Sequence, residues 1–149
     1  MARALSSETL HATSVAIRGR AVLLSAPSGG GKSDLALRLI DRGAMLVSDD
    51  YTLVKRMEGR LIATAPATIA GRMEVRGIGI VDLPTTPEAP VALLIELADD
   101  VERMPLAMRR RAVAGLDVPV ARLSPFEASA PIKVELALRA LGLPVEPGA

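Results

Sequence analysis

Cysteine and tryptophan are absent from the 149-residue chain, and Tyr51 and Phe126 are its only tyrosine and phenylalanine. Without thiols, a disulfide scaffold, a zinc finger and thiol catalysis are excluded, and a reducing compartment is compatible. Rings this scarce argue against binding single-stranded nucleic acid by successive base stacking. The core must therefore be built from Leu, Val, Ile, Ala and Met. Charge of one sign is lacking too: 18 Lys and Arg face 17 Asp and Glu, a net +1, which gives no basic field for a generic nucleic-acid binder. No apolar run approaches the ~18 residues of a membrane span. The longest candidate, Val91-Ala92-Leu93-Leu94-Ile95, is strand-sized. The first residues lack the apolar core of a secretory signal, so a soluble, cytoplasmic protein is expected.

What is present is the composition of one ordinary domain over residues 1–149, half hydrophobic and large enough to bury a core unaided. The pattern predicts an α/β fold, a mixed sheet with a phosphate-binding loop and flanking helices. Residues 14–18 alternate apolar and polar positions and end at the turn Gly19-Arg20. Residues 21–25 form a short apolar run suited to a buried central strand. From Lys32 to Arg42 the spacing is helical, with Leu35 and Leu39, and Ala36 and Ile40, paired at i,i+4, and Gly43 supplies a left-handed stop. Met45–Ser48 reads as a second buried strand, parallel to the first, and Thr52–Met57 with Arg60–Thr64 as a hairpin about Glu58-Gly59. Residues 78–82 and 91–97 are further strands, joined by a proline-rich loop over 83–90. The polar segment 99–115 is read as helical, its Arg109-Arg110-Arg111 a solvated helix face in preference to a dock for an acidic partner. A last helix covers Ala130–Leu141, with Pro131 in its first turn, Ile132, Leu136 and Leu141 along an apolar face, and Gly142 beyond its end.

The chemistry is concentrated in Ala26-Pro27-Ser28-Gly29-Gly30-Gly31-Lys32-Ser33, which lies between a strand and an amphipathic helix. Glycines without Cβ let backbone N–H groups approach a phosphate and form an anion-binding nest. The helix that follows adds its unpaired N–H groups and the positive end of its dipole. Lys32 is placed to bring an ammonium to the β/γ oxygens, and the Ser33 hydroxyl to ligate Mg²⁺. Ala26 stands where the usual pattern begins with Gly, which a negative φ tolerates.

Asp49-Asp50 follows the strand parallel to the one that feeds the loop, so both should open at the same sheet edge. Two readings stand for the pair: a polar turn, or carboxylates that hold Mg²⁺ through water or take a proton from an attacking hydroxyl. Beside a phosphate loop the second is favoured. His11, the one histidine, reads from the residues alone as exposed N-terminal chain or as a site residue. Glu74, between Arg72 and Arg76 in a glycine-bracketed segment, reads as turn or site.

Four blocks in order carry a family resemblance: His11 ahead of a strand; Ser28-Gly29-Gly30-Gly31-Lys32-Ser33 followed by Ala36-Leu37 and Arg42-Gly43; Leu46-Val47-Ser48-Asp49-Asp50; and Glu74-Val75-Arg76-Gly77-Ile78-Gly79-Ile80. With these the chain resembles the catalytic domain of HPr kinase/phosphorylase, the bacterial family that phosphorylates a serine of the phosphocarrier HPr. The resemblance implies a C-terminal-domain-like kinase fold, ATP and Mg²⁺ as cofactors, an HPr-like partner and a hexamer. It implies that residues 26–33 bind the ATP phosphates, with Lys32 on the transferred group and Ser33 on the metal. Asp50 matches the family's acid/base, which serves the kinase direction and the phosphate-driven reversal. His11 matches the active-site histidine that tunes it, Glu74 the metal-associated acid beside Asp49, and Arg76 a segment tied to both reactions.

Departures accompany the match. Only ten residues precede His11, so the expectation is a short form holding the catalytic domain alone. Prolines replace the family's Gly- and Ala-rich continuation, and Arg122-Leu123-Ser124-Pro125-Phe126-Glu127 stands where the family has Arg-Pro-Gly-Arg. Two other readings compete with an HPr-type serine kinase. One is a small-molecule P-loop kinase; the other is a nucleotide-sensing regulatory module, which the missing arginine motif favours.

Overall fold

A single strand, Arg20–Ser25, organises the molecule because both of its faces are apolar: Ala21 and Leu23 point one way, Val22 and Leu24 the other, and all four are fully buried. The computed structural model describes residues 6–27 and 29–144. In chain order the strands are β1 (Ser7–Leu10), β2 (Ala12–Ile17), β3 (Arg20–Ser25), β4 (Met45–Ser48), β5 (Thr52–Met57), β6 (Arg60–Thr64), β7 (Arg72–Val75), β8 (Gly79–Asp82), β9 (Glu88–Leu97), β10 (Arg109–Val113) and β11 (Leu116–Leu123). Among the described residues two α-helices, α1 (Lys32–Asp41) and α2 (Ala130–Leu141), and one 3-10 turn, Ala67–Ile69, join them.

The main sheet runs β1-β5-β6-β9-β3-β2-β4, and β11 with β10 branches from β9. It is mixed, as expected. β9 is parallel to β3 and β11, whereas its first residues pair antiparallel with β6. β2 pairs antiparallel with both β3 and β4, so β3 and β4 point the same way with β2 between them. On one face α1 and α2 cover a core that includes Val22, Leu24, Leu35, Leu39, Ile95, Val134 and Leu138. On the other, Leu23, Leu94, Val54, Leu61, Val118 and Val120 form a second core enclosed by the outer strands. Each such side chain contributes roughly 1.5–3 kcal/mol on burial.

Several expectations need correction. The segment 99–115 is not helical: β10 occupies its end and pairs with β11 through a tight turn at Ala114 and Gly115, both at positive φ. Arginine has good helix propensity, but a strand here buries Val113 and Val118, and that tertiary gain wins. Arg109, Arg110 and Arg111 are solvated as expected, but along a strand. The loop read over 83–90 is shorter, because β9 starts at Glu88. In α2 the buried face is Ala130, Val134 and Leu138, while Ile132 and Leu136 are exposed. The bounds of α2, the Glu58-Gly59 turn with both residues at positive φ, and Gly43 at φ 109 after α1 agree with the sequence reading.

Arg42, at the end of α1, clamps α2 through three contacts to the Glu135 carboxylate, the shortest 2.7 Å. Hydrogen bonding to Arg42 holds the Glu135 carboxyl below its ordinary range, against a smaller opposing effect of burial. A lowered carboxylate pKa stabilises the fold above the unfolded-state value, and that contribution disappears as pH falls through the folded-state value. Glu135→Gln is therefore expected to lower Tm at pH 7 and to match the wild type once pH drops below the carboxylate range. Thermal melts from pH 7 to pH 3 check this; a gap that widens on acidification contradicts it.

Candidate active site

The site lies where β2 begins and where β3 and β4 end. Registry puts it there: Ala12 pairs with Ser25 and Ser14 with Ser48. His11, immediately before β2, thus shares one sheet edge with the loop after β3 and with Asp49-Asp50 after β4. The loop and the acidic pair line one cleft of about 540 Å³, with Glu74 and Arg76 of the β7–β8 hairpin also in its lining. Met73, buried to 1% exposure, anchors that hairpin in the helix-side core.

Close packing fixes the loop. A Cβ on Gly30 would stand 2.6 Å from the Ala26 Cβ and 2.7 Å from the Pro27 carbonyl oxygen, so no side chain fits. Gly31 sits at φ 92, where a Cβ would also press on Pro125 at 3.0 Å. Ala26 is outside the positive-φ region, so alanine carries no backbone penalty there. Of the loop amides expected to face a phosphate, that of Gly30 is spent within the loop, its N–H closing a turn onto the Pro27 carbonyl at 2.9 Å. The amides of Gly31, Ser33 and Asp34 have no backbone acceptor among the described residues, the usual condition of a helix start. Ser28 lies outside the described residues.

Lys32 is 6% exposed, and its ammonium donates to the Ala26 carbonyl at 3.2 Å while lying 3.7 Å from Asp50 Oδ1. His11 Nε2 is 2.9 Å from the same Asp50 oxygen. A carboxylate only accepts, so Nε2 carries the hydrogen. The Lys32 ammonium, 3.4 Å from that nitrogen, is then a neighbour rather than its donor. Tyr51 stacks on the His11 ring, with centroids 5.0 Å apart and planes at 23°.

The two acids are held differently. The Ser33 hydroxyl donates to Asp49 Oδ1 at 2.6 Å and the Thr13 hydroxyl to the same oxygen at 3.1 Å. Asp49 Oδ2 has no hydrogen-bond partner among the described residues. Asp50 takes φ 67, a left-handed conformation that aspartate tolerates better than most residues, and its N–H donates to Thr13 Oγ1 at 3.0 Å. Ser33 and Asp49 thus present hard oxygen atoms side by side, the donor type that Mg²⁺ takes. No group of three or more His, Cys, Asp or Glu among the described residues forms a closed metal cage.

The structure therefore brings Lys32, Ser33, Asp49, Asp50, Glu74 and Arg76 to one cleft, which His11 joins through Asp50, with the Ala26 and Pro27 carbonyls as backbone acceptors for Lys32 and Gly30. Arg122 points elsewhere, 3.5 Å from Asp100. Sequence reasoning missed Thr13, Tyr51 and Phe126. Only Thr13 left a trace: it sits two positions after His11, and alternate strand residues share a face.

Residues 3–130 match the family model described as HPr Serine kinase C-terminal domain. HPr kinase/phosphorylase of Clostridium tetani is 46% identical over 82 residues, 54% of this chain and 27% of that protein. Its counterpart in Clostridium beijerinckii is 44% identical over 86 residues, 57% of this chain and 28% of that protein. The match therefore spans little more than a quarter of the length of these relatives. The solved structure of the Hpr(Ser) kinase/phosphatase from Coxiella burnetii is similar with a TM-score of 0.77 and 32% identity, covering 89% of each chain.

Thr13 is fully buried and its hydroxyl bonds both acids. Thr13→Val keeps the shape but strands the Asp50 amide, an expected loss of about 1–3 kcal/mol. Thr13→Ser, which keeps the hydroxyl, should lose less. Urea denaturation checks the order; a valine variant as stable as the wild type contradicts it.

Proposed function

The chain belongs to the family of HPr serine kinase C-terminal domains, and from that premise we propose that it transfers the terminal phosphoryl group of ATP to a serine hydroxyl of an HPr-like phosphocarrier. The observation that carries the reading is the Asp50 carboxylate lying 3.7 Å from the Lys32 ammonium at the start of the glycine-loop helix. A proton acceptor and a phosphate-binding cation share one cleft.

The geometry supports the following roles. Residues 26–33, with Gly29, Gly30 and Gly31 giving access to the backbone, hold the polyphosphate, aided by the positive end of α1. Lys32 neutralises charge on the transferred group. Asp50 accepts the proton of the serine hydroxyl as its oxygen bonds to the γ-phosphorus and the bond to the β-phosphate oxygen breaks, leaving ADP. His11 orients the Asp50 carboxylate by donating to Oδ1, and Arg76, in the cleft lining, offers a further cation to the phosphates. Ser33 and Asp49, with Glu74 of the same lining, are the residues that would hold Mg²⁺. When bound, the ion would supply charge neutralisation to the phosphate groups during transfer.

Transfer of labelled phosphate from ATP to a serine of HPr tests the reading. Asp50→Asn should lower kcat by about 10²–10⁴-fold, the usual worth of a general base, while ATP still binds. Lys32→Ala should lose the thermal stabilisation given by ATP, which at a hundredfold excess over Kd is about 2.7 kcal/mol. Labelling of a metabolite instead of HPr contradicts the protein-kinase reading. ATP binding with no acceptor labelled points to the nucleotide-sensing module.

A further inference from the structure

The chain has two benzene-type rings, and both are solvent-exposed at this site: Tyr51 at 47% on the His11 ring, Phe126 at 68% in the cleft lining. Large aromatic surface normally goes to the core, where its burial is worth most. The core here contains none. Phe126 is also held firmly where it is. A Cβ on Gly31 would be 3.3 Å from Phe126 Cε1, so the ring packs directly against the phosphate loop. Behind it Arg38 of α1 donates to the carbonyls of Pro125 and Glu127, fastening the segment that carries the ring to the second turn of the helix.

We propose that Phe126, in a cleft that Leu37 of α1 also lines, is the shelf on which the base of the bound nucleotide stacks. The inference rests on the polyphosphate reading of the glycine loop and adds its missing end. Lys32 and Asp50 mark where phosphoryl transfer would occur, and His11 with Tyr51 stand on that side. Phe126 stands on the α1 side of the loop against Gly31, where the remainder of a nucleotide anchored by its phosphates has room. The shelf is apolar and offers a ring face, so it recognises a base as such; every base has a π face, and stacking discriminates poorly between them.

The test separates base from phosphate by comparing ATP with inorganic tripolyphosphate. Phe126→Ala is expected to raise the Kd of ATP at least about fivefold, the loss of one base–aromatic stack, and to leave that of tripolyphosphate within about twofold. Phe126→Trp restores the shelf and introduces the only indole of the chain. Its emission should change on adding ATP and stay constant on adding tripolyphosphate. Equal weakening of both ligands by Phe126→Ala, unchanged ATP affinity, or an indole blind to ATP overturns the assignment. Failure of tripolyphosphate to bind the wild-type chain contradicts the phosphate reading itself, and the shelf falls with it.

Discussion

β2 runs antiparallel between β3 and β4, and this pairing is the constraint on which the rest depends. Because β2 runs against both neighbours, its first residues meet their last ones. Three separate pieces of chain, each unremarkable alone, converge: the imidazole of His11, the loop after Ser25 and the acids after Ser48. The buried apolar faces of β3 maintain the register, since a slip by one residue would turn Val22 and Leu24 away from the helices. The chemistry of the edge is thus held in place by packing several residues below it.

At that edge the opposing charges are matched before any ligand enters. Lys32 is nearly inaccessible, and a buried ammonium is costly unless it is paired and hydrogen-bonded. The Ala26 carbonyl and Asp50 Oδ1 supply those partners. Asp50 remains more than half exposed, so its carboxylate faces the cation on one side and the open cleft on the other. The adjacent Asp49 is directed instead to Ser33 and Thr13. Two neighbouring carboxylates acquire different environments because the left-handed turn at Asp50 separates them. Burial of Thr13 fixes that separation.

Much of this arrangement was legible in the sequence where local rules dominate. Three glycines before Lys32 and an i,i+4 apolar stripe after it specify loop and helix. Glu58-Gly59 specifies its hairpin, and Pro131 with Gly142 brackets α2. Reading failed where tertiary contacts decide. β10 and β11 owe their strand form to a second core that no local period announces, and the arginine row masked them. α2 has apolar residues on several sides, so composition alone did not tell which side is buried. At the site, the loop and the paired acids stood out by residue type, whereas His11, Glu74 and Arg76 were singled out only by the family resemblance. Thr13 and Phe126 did not stand out, because their placement depends on strand registry and on the Arg38 clasp. That the loop's middle amide is spent on a turn is a backbone detail beyond any residue pattern.

In the proposed reaction a polyphosphate lies along the glycine loop with its last phosphate against Lys32 and beside Asp50. A crystal structure with Mg²⁺ and a non-hydrolysable ATP analogue measures this directly. The account predicts the terminal phosphate within hydrogen-bond reach of the Lys32 ammonium, with the Asp50 carboxylate on its open side. An analogue bound away from the loop, or an Asp50 carboxylate turned out of the cleft in its presence, would contradict it.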